Sequence, residues 1–195
     1  MNVPKILIVG KIRAGKSSVT DHLRFEHGFD EIAFGSMLKY YAHKVFTHSD
    51  VVGGGDKPAR KPRALYQQFG ELCRQIDPMV WIQHAEFELG MKLDSRATKG
   101  VVISDGRQPH ELDWARANGF TIVRVTAPDE LRVARAKEAG DQFDAKDLAH
   151  DTEQHVAGFA VDYEIVNDGT IDELYAKVDA LMSEIRGGDV NGRLC

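Results

Sequence analysis

A chain of 195 residues is long enough to bury one full core, and a hydrophobic share of 43% beside 28% charged residues is that of an ordinary globular protein. The formal net charge of −5 argues against nucleic acid as the default partner, and no apolar run is long enough to cross a bilayer. No leader-like stretch opens the chain, and two cysteines, Cys73 and Cys195, offer neither a disulfide framework nor a metal spacing, so the expectation is a cytoplasmic protein with Cys73 as a buried thiol.

Residues 5–9, Lys-Ile-Leu-Ile-Val, are an apolar, β-branched run that predicts a buried parallel strand. Directly after it, Gly10-Lys11-Ile12-Arg13-Ala14-Gly15-Lys16-Ser17 fits the phosphate-loop pattern G-x-x-x-x-G-K-[ST] at every specified position. Each residue type has a physical reason. Gly10 and Gly15 let the backbone curl so that successive N–H groups and the next helix's first turn point at an anion. Lys16 is a cation for β- and γ-phosphates, and the Ser17 hydroxyl stands where Mg²⁺ would bind.

Residues 17–27 read as the helix that carries the loop, with Val19 and Leu23 on one face and Gly28 as its stop. A short strand over 29–34 follows. Ser36 then reads as the N-cap of a helix bearing Met37, Tyr41 and Val45. Residues 47–62 hold three successive glycines, two prolines and several basic residues, which predicts an exposed loop. Beyond it Leu65, Phe69, Leu72 and Ile76 form a helical stripe expected to be mostly core, Asp77-Pro78 resets the chain, and 80–93 continue as another helix.

Residues 101–105 predict the next buried strand, running into Asp105. In an open α/β sheet ligands bind beyond the carboxyl ends of the strands, so Asp105 and Arg107 face the same edge as the phosphate loop. A capping role before Pro109 is the other reading of Asp105. Residues 109–118 predict a short helix stopped by Gly119, and 120–125 a fourth strand. Residues 129–139 form a charged helix with Arg132 and Arg135 on one face, either a solvated surface or a source of cations over a phosphate site. A second polar helix through His155 follows a polar stretch. The fifth strand spans 161–166, Asn167-Asp168-Gly169 is a turn, Thr170 with Glu173 makes a capping box, and Leu174, Val178, Leu181 and Ile185 mark the closing helix. The tail from 187 to 195 is expected to be unstructured.

The chain resembles the P-loop nucleoside monophosphate kinases, and among them the deoxynucleoside monophosphate kinases of bacteriophage type. The resemblance runs from 5 to about 185 and rests on three stretches beyond the phosphate loop: Arg63-Ala64-Leu65-Tyr66-Gln67-Gln68-Phe69-Gly70 with Arg74 and Trp81, Ile103-Ser104-Asp105-Gly106-Arg107-Gln108-Pro109-His110-Glu111, and Ile165-Val166-Asn167-Asp168-Gly169-Thr170. The third is shared with dephospho-coenzyme A kinases.

The resemblance implies a doubly wound P-loop α/β fold of five parallel strands ordered two-three-one-four-five. It also implies a core of 1–35, 96–128 and 156–186, a monophosphate-binding insertion over 36–95, a lid over 129–155 and a tail over 187–195. The implied reaction transfers a phosphoryl group from ATP, with Mg²⁺, to a nucleoside or deoxynucleoside monophosphate. Lys16, Asp105, Arg107 and Arg135 would be catalytic. Arg13, Ala14, Gly15, Lys16, Ser17, Ser18, Arg132, Asn167, Gly169 and Thr170 would bind ATP, while Ser17 and Asp105 would hold the metal. Phe34, Lys39, Arg63, Gln67, Arg74, Trp81 and Arg107 would bind the acceptor. No nucleic acid or membrane partner is implied, and a monomer or homodimer is expected. Gly106 departs from the family pattern, which commonly has an apolar residue there. Two other readings stay open at this point: dephospho-coenzyme A kinase or another small-molecule P-loop kinase, and a nucleotide-binding regulatory module without an acceptor site.

Overall fold

The apolar run at the start of the chain is the central strand of a five-stranded sheet, β1 (Lys5–Val9), in which Ile6 through Val9 are all buried. The computed structural model describes residues 3–48, 62–95, 97–139, 156 and 158–188. Burial on both faces explains why β1 shows no polar alternation: it is flanked by parallel neighbours, Leu7 standing beside Ile103 on one side and Ile122 on the other. The remaining strands are β2 (Phe29–Ile32), β3 (Gly100–Ile103), β4 (Thr121–Thr126) and β5 (Tyr163–Val166), in the order β2-β3-β1-β4-β5. The β4–β5 pairing is parallel too. This is the order that the family resemblance implies.

Seven helices connect the strands among the described residues: α1 (Lys16–Phe25), α2 (Phe34–Val45), α3 (Arg63–Ile76), α4 (Val80–Asp94), α5 (Pro109–Ala117), α6 (Asp129–Glu138) and α7 (Ile171–Gly188). Val19 and Leu23 of α1 join Leu174, Val178 and Met182 of α7 over Ile6, Ile8, Val102, Val123 and Val125 of the sheet. Each such side chain contributes about 1.5–3 kcal/mol by leaving water. The chain divides into two compact units, one of Met1–Glu31 with Lys92–Cys195 and one of Ile32–Met91. The first carries the sheet and the phosphate loop; the second is mostly helical.

Several local expectations change. α2 starts at Phe34 rather than after Ser36, and its inward residues are Phe34, Leu38 and Ala42, while Val45 is 65% exposed. The stripe Met37-Tyr41-Val45 has the same i, i+4, i+8 spacing, so period alone could not choose between the two. Phe34 had the look of a strand end, and Ala33 at the N-cap offers no capping side chain to correct it.

In α3, Leu72 and Ile76 are 55% and 81% exposed, not core. The helix turns Gly70 inward instead: a Cβ there would stand 2.5 Å from Cδ1 of Leu38, so the missing side chain is what lets α2 and α3 approach. Cys73 is only partly buried. α7 continues to Gly188, into the segment expected to be unstructured. The loop residues 49–61, the lid residues 140–155 and residues 189–195 lie outside the described residues. No described helix is long and apolar enough to cross a membrane.

Candidate nucleotide site

The phosphate loop leaves β1 at Gly10, whose φ of +147° and lack of Cβ are both required, because a Cβ would lie 2.2 Å from the carbonyl oxygen of Val125. Arg13 takes φ +62°, and Gly15, at φ +106°, is the N-cap of α1. A glycine cap has no side chain to bond the helix's first N–H groups, and the first turn carries no acid. The positive end of α1 is thus uncompensated by its own side chains, which suits an anion and fits a bound phosphate. Nζ of Lys16 folds back over the loop, donating to the carbonyls of Gly10 at 2.6 Å and Lys11 at 3.0 Å. Ser17 is exposed one residue into α1, and Ser18 is half-buried beside it.

Two elements hold this loop from behind. Arg132 of α6 is 4% exposed; its Nε donates to the carbonyl of Ile12 at 2.8 Å, and its Nη1 pairs with Asp129 at 2.6 Å. Asn167, just past β5, is 6% exposed, and its Nδ2 donates to the carbonyl of buried Ala14 at 2.9 Å. Nη2 of Arg135 in turn donates to Oδ1 and the carbonyl of Asn167, at 3.2 and 3.4 Å. Nη1 of Arg135 is buried with no hydrogen-bond partner among the described residues. The arginines of α6 are therefore not a solvated face; they are fastened to the loop and to the turn after β5.

That turn is itself fixed. The backbone N–H of Asn167 donates to Thr126 at 2.7 Å, Lys177 reaches the carbonyl of Val166 and the carboxylate of Asp168, and Thr170 and Glu173 form the expected capping box. The Lys177 bond holds the Asp168 carboxyl below its usual range, and the Thr170 N–H and hydroxyl do the same for Glu173. Gly169 and Thr170 are exposed at the head of α7.

Asp105 emerges two residues past β3, on the carboxyl edge of the sheet beside β1, and is half-buried; Arg107 is exposed. The N-cap of α5 is Gln108, and Glu111, 6% exposed, closes the capping box from N3, its Oε2 accepting from the N–H groups of Arg107 at 2.7 Å and Gln108 at 2.9 Å. Glu111 was missed as a site residue, though Gln108-x-x-Glu111 carries the capping-box spacing that would have found it. Gly106 is explained as well: a Cβ would sit 2.8 Å from Cδ1 of Leu7, so the loop lies too close to β1 for any side chain. A second missed residue is Glu31 at the end of β2, which accepts from the Ser104 hydroxyl at 2.6 Å beside Asp105.

The helical unit holds the other expected residues. Positions 63, 67 and 74 fall on one face of α3 by helical spacing, together with Gly70. Gln67 is exposed, and Arg74 is partly buried with Nη2 and Nε on Glu71 at 3.1 and 3.4 Å. Lys39 is exposed on α2. Phe34 and Trp81 are buried at 3% and 5%, and the Trp81 indole donates to the carbonyl of Gly70, so both are core side chains of this unit.

Strand order and loop define a P-loop α/β protein. Within that class the chain belongs to the deoxynucleotide monophosphate kinase family, whose model matches residues 59–178. It is 28% identical over 121 residues to the deoxynucleotide monophosphate kinase of Enterobacteria phage T4, covering 60% of this chain and 43% of that protein. It is 33% identical over 127 residues to the protein of that name from Escherichia phage RB69, covering 62% and 44%. The matches thus span less than half the length of these curated relatives. Among solved structures, a gluconokinase from Sinorhizobium meliloti superposes with a TM-score of 0.59 at 15% identity over 98% of each chain, a likeness of fold alone. All three stretches that carry the sequence resemblance lie inside the matched segment, whereas the phosphate loop lies before it. Neither the coenzyme A kinase reading nor the regulatory-module reading draws support from the family.

Proposed function

We propose that this chain transfers the γ-phosphoryl group of ATP to the phosphate of a deoxynucleoside or nucleoside monophosphate, giving ADP and the diphosphate. The observation that carries the reading is the loop of residues 10–16, with left-handed Gly15 opening an uncapped α1, in a chain whose downstream segment is that of a monophosphate kinase. Loop N–H groups from Arg13 to Ser18 cradle the donor phosphates, and Lys16 exchanges its loop carbonyls for phosphate oxygens. Mg²⁺, held by Ser17 and Asp105, would neutralise charge on the β- and γ-phosphates.

No side-chain nucleophile is needed. The acceptor's phosphate oxygen attacks in line, and the chain's task is to position it and balance the charge that moves. Arg107, beyond β3 in the first unit, and Lys39 on α2 with Arg63, Gln67 and Arg74 on one face of α3 in the second, are the groups whose chemistry suits a phosphate-bearing acceptor. Phe34 and Trp81, being core, serve by shaping this unit. Arg132 and Asn167 hold the loop in shape, Arg135 holds Asn167, and Gly169 and Thr170 border the donor base.

A coupled assay of ADP formation with ATP and Mg²⁺, scanning the eight common ribo- and deoxyribonucleoside monophosphates, tests the reading. Turnover dependent on at least one monophosphate is the expected result. ATP hydrolysis indifferent to all of them, from protein that binds ATP, would remove the acceptor assignment.

A further inference from the structure

Away from the phosphate loop, three ligand-type side chains converge where the far end of α1 meets α7. Nε2 of His22 lies 2.7 Å from Oδ1 of Asp179, and Nε2 of His27 lies 2.8 Å from the same oxygen. All three ligand atoms fall within 4.8 Å of one another. The His22 side chain is 9% exposed, His27 12% and Asp179 54%, so the cluster is walled on the protein side and open to solvent at the carboxylate. Tyr175, one turn before Asp179 on α7, stacks on the His22 ring at 4.2 Å between centroids and 12° between planes, which fixes that imidazole's direction.

We propose that His22, His27 and Asp179 form a structural site for a divalent transition-metal ion, Zn²⁺ being the expected occupant, with solvent as the fourth ligand. Two imidazole nitrogens and one carboxylate oxygen are the borderline donors that Zn²⁺ takes at about 2.0–2.2 Å, in a tetrahedron whose edges are about 3.3 Å. Opening the two nitrogen–oxygen separations to that edge takes about half an ångström each, within the reach of small side-chain rotations. On binding, each imidazole gives the ion the lone pair of Nε2 and carries its N–H on Nδ1, so no proton need be lost from a neutral ring.

The site would tie together two helices whose opposite ends frame the nucleotide site. α1 starts at Lys16, and α7 starts just after the Asn167 turn. Helix-to-helix metal ligation adds its binding free energy to folding. The effect is therefore on stability, and it is independent of which acceptor the enzyme uses.

The test uses the whole, untagged chain, stripped with a chelator and titrated with Zn²⁺ and, for its visible spectrum, Co²⁺. One equivalent of Zn²⁺ should bind, Tm should rise on binding, and Co²⁺ should give the absorption of a four-coordinate centre. His27→Gln and Asp179→Asn, chosen because each nearly keeps the volume of the side chain it replaces, should each weaken binding about tenfold or more and abolish the Tm rise while preserving the circular dichroism. Absence of a stoichiometric site in the wild-type chain would overturn the proposal. So would a stoichiometric site that survives both substitutions, since the ion would then belong to other histidines.

Discussion

The side-chain amide of Asn167 donates to the main-chain carbonyl of Ala14 at 2.9 Å, and a Cβ on the neighbouring Gly15 would stand 2.2 Å from that same amide nitrogen. The glycine of the phosphate loop is thus fixed twice, by its left-handed φ and by the amide pressed against it. A residue 152 positions downstream of Gly15 sets the curvature of the loop, and Arg135 holds that residue through its Oδ1.

Removing the amide in Asn167→Ala leaves the buried Ala14 carbonyl without this donor, at a cost of about 1–3 kcal/mol. Urea unfolding should report that loss. Because the loop is loosened on the donor side, the KM for ATP should rise more than the KM for the monophosphate. Equal rises would mean that the bond serves the fold and not the loop's shape.

Lys16→Ala should fold normally, since Nζ donates to the carbonyls of Gly10 and Lys11 within its own loop and is not part of the packed core. Its kcat should fall at least about a hundredfold, the scale for losing one electrostatic stabiliser of a transition state. Stopped-flow or coupled kinetics on a variant of native Tm provides the check, and near-normal turnover would detach catalysis from the loop.

How much of this could be read from the chain depended on range. The phosphate loop, its strand and its helix are local, and each was legible because four specified positions, an apolar run and a helical period agree. The Thr170–Glu173 box was legible for the same reason. What the chain could not disclose was long-range: that Asn167 spends its side chain on Ala14 and not on a solvent-facing turn, that charged α6 turns Arg132 into the protein at 4% exposure, and that α3 packs through Gly70 and leaves Ile76 in water. Two apolar stripes of equal period on α2 were indistinguishable until the neighbour at Gly70 selected Leu38.

The turn after β5 gives a pH prediction. Glu173 accepts from the N–H and hydroxyl of Thr170, which lowers its pKa in the folded chain below the ordinary value of 4.5. Folding therefore favours the ionised form. The stabilisation is full above that ordinary value and is lost as pH falls through the lower, folded one. Asp168, lowered by its bond to Lys177, adds in the same direction. In thermal melts across pH, wild type should exceed Glu173→Gln at neutral pH, and the gap should close in acid below the glutamate range. A gap that held constant into strong acid would assign it to shape rather than charge.

The remaining prediction separates the donor side from the acceptor side. A guanidinium grips phosphate with two parallel N–H groups, which an ammonium cannot do, so lysine is the informative replacement. Arg107→Lys and Arg74→Lys should raise the KM for the monophosphate about tenfold or more, in line with roughly 1.5–3 kcal/mol for a bond to a charged group, and leave the KM for ATP little changed. Among the described residues the Arg74 guanidinium bonds Glu71 of its own helix, so its loss should leave Tm nearly unchanged. Arg132 is the contrast. Its Nε serves the Ile12 carbonyl while Nη1 serves Asp129, a two-point span that lysine cannot reproduce from a buried position. Arg132→Lys should lower Tm and raise the KM for ATP, with the monophosphate KM nearly constant. If Arg74→Lys and Arg107→Lys weakened ATP instead and spared the monophosphate, the acceptor would have to be sought away from α3 and the Asp105–Arg107 edge.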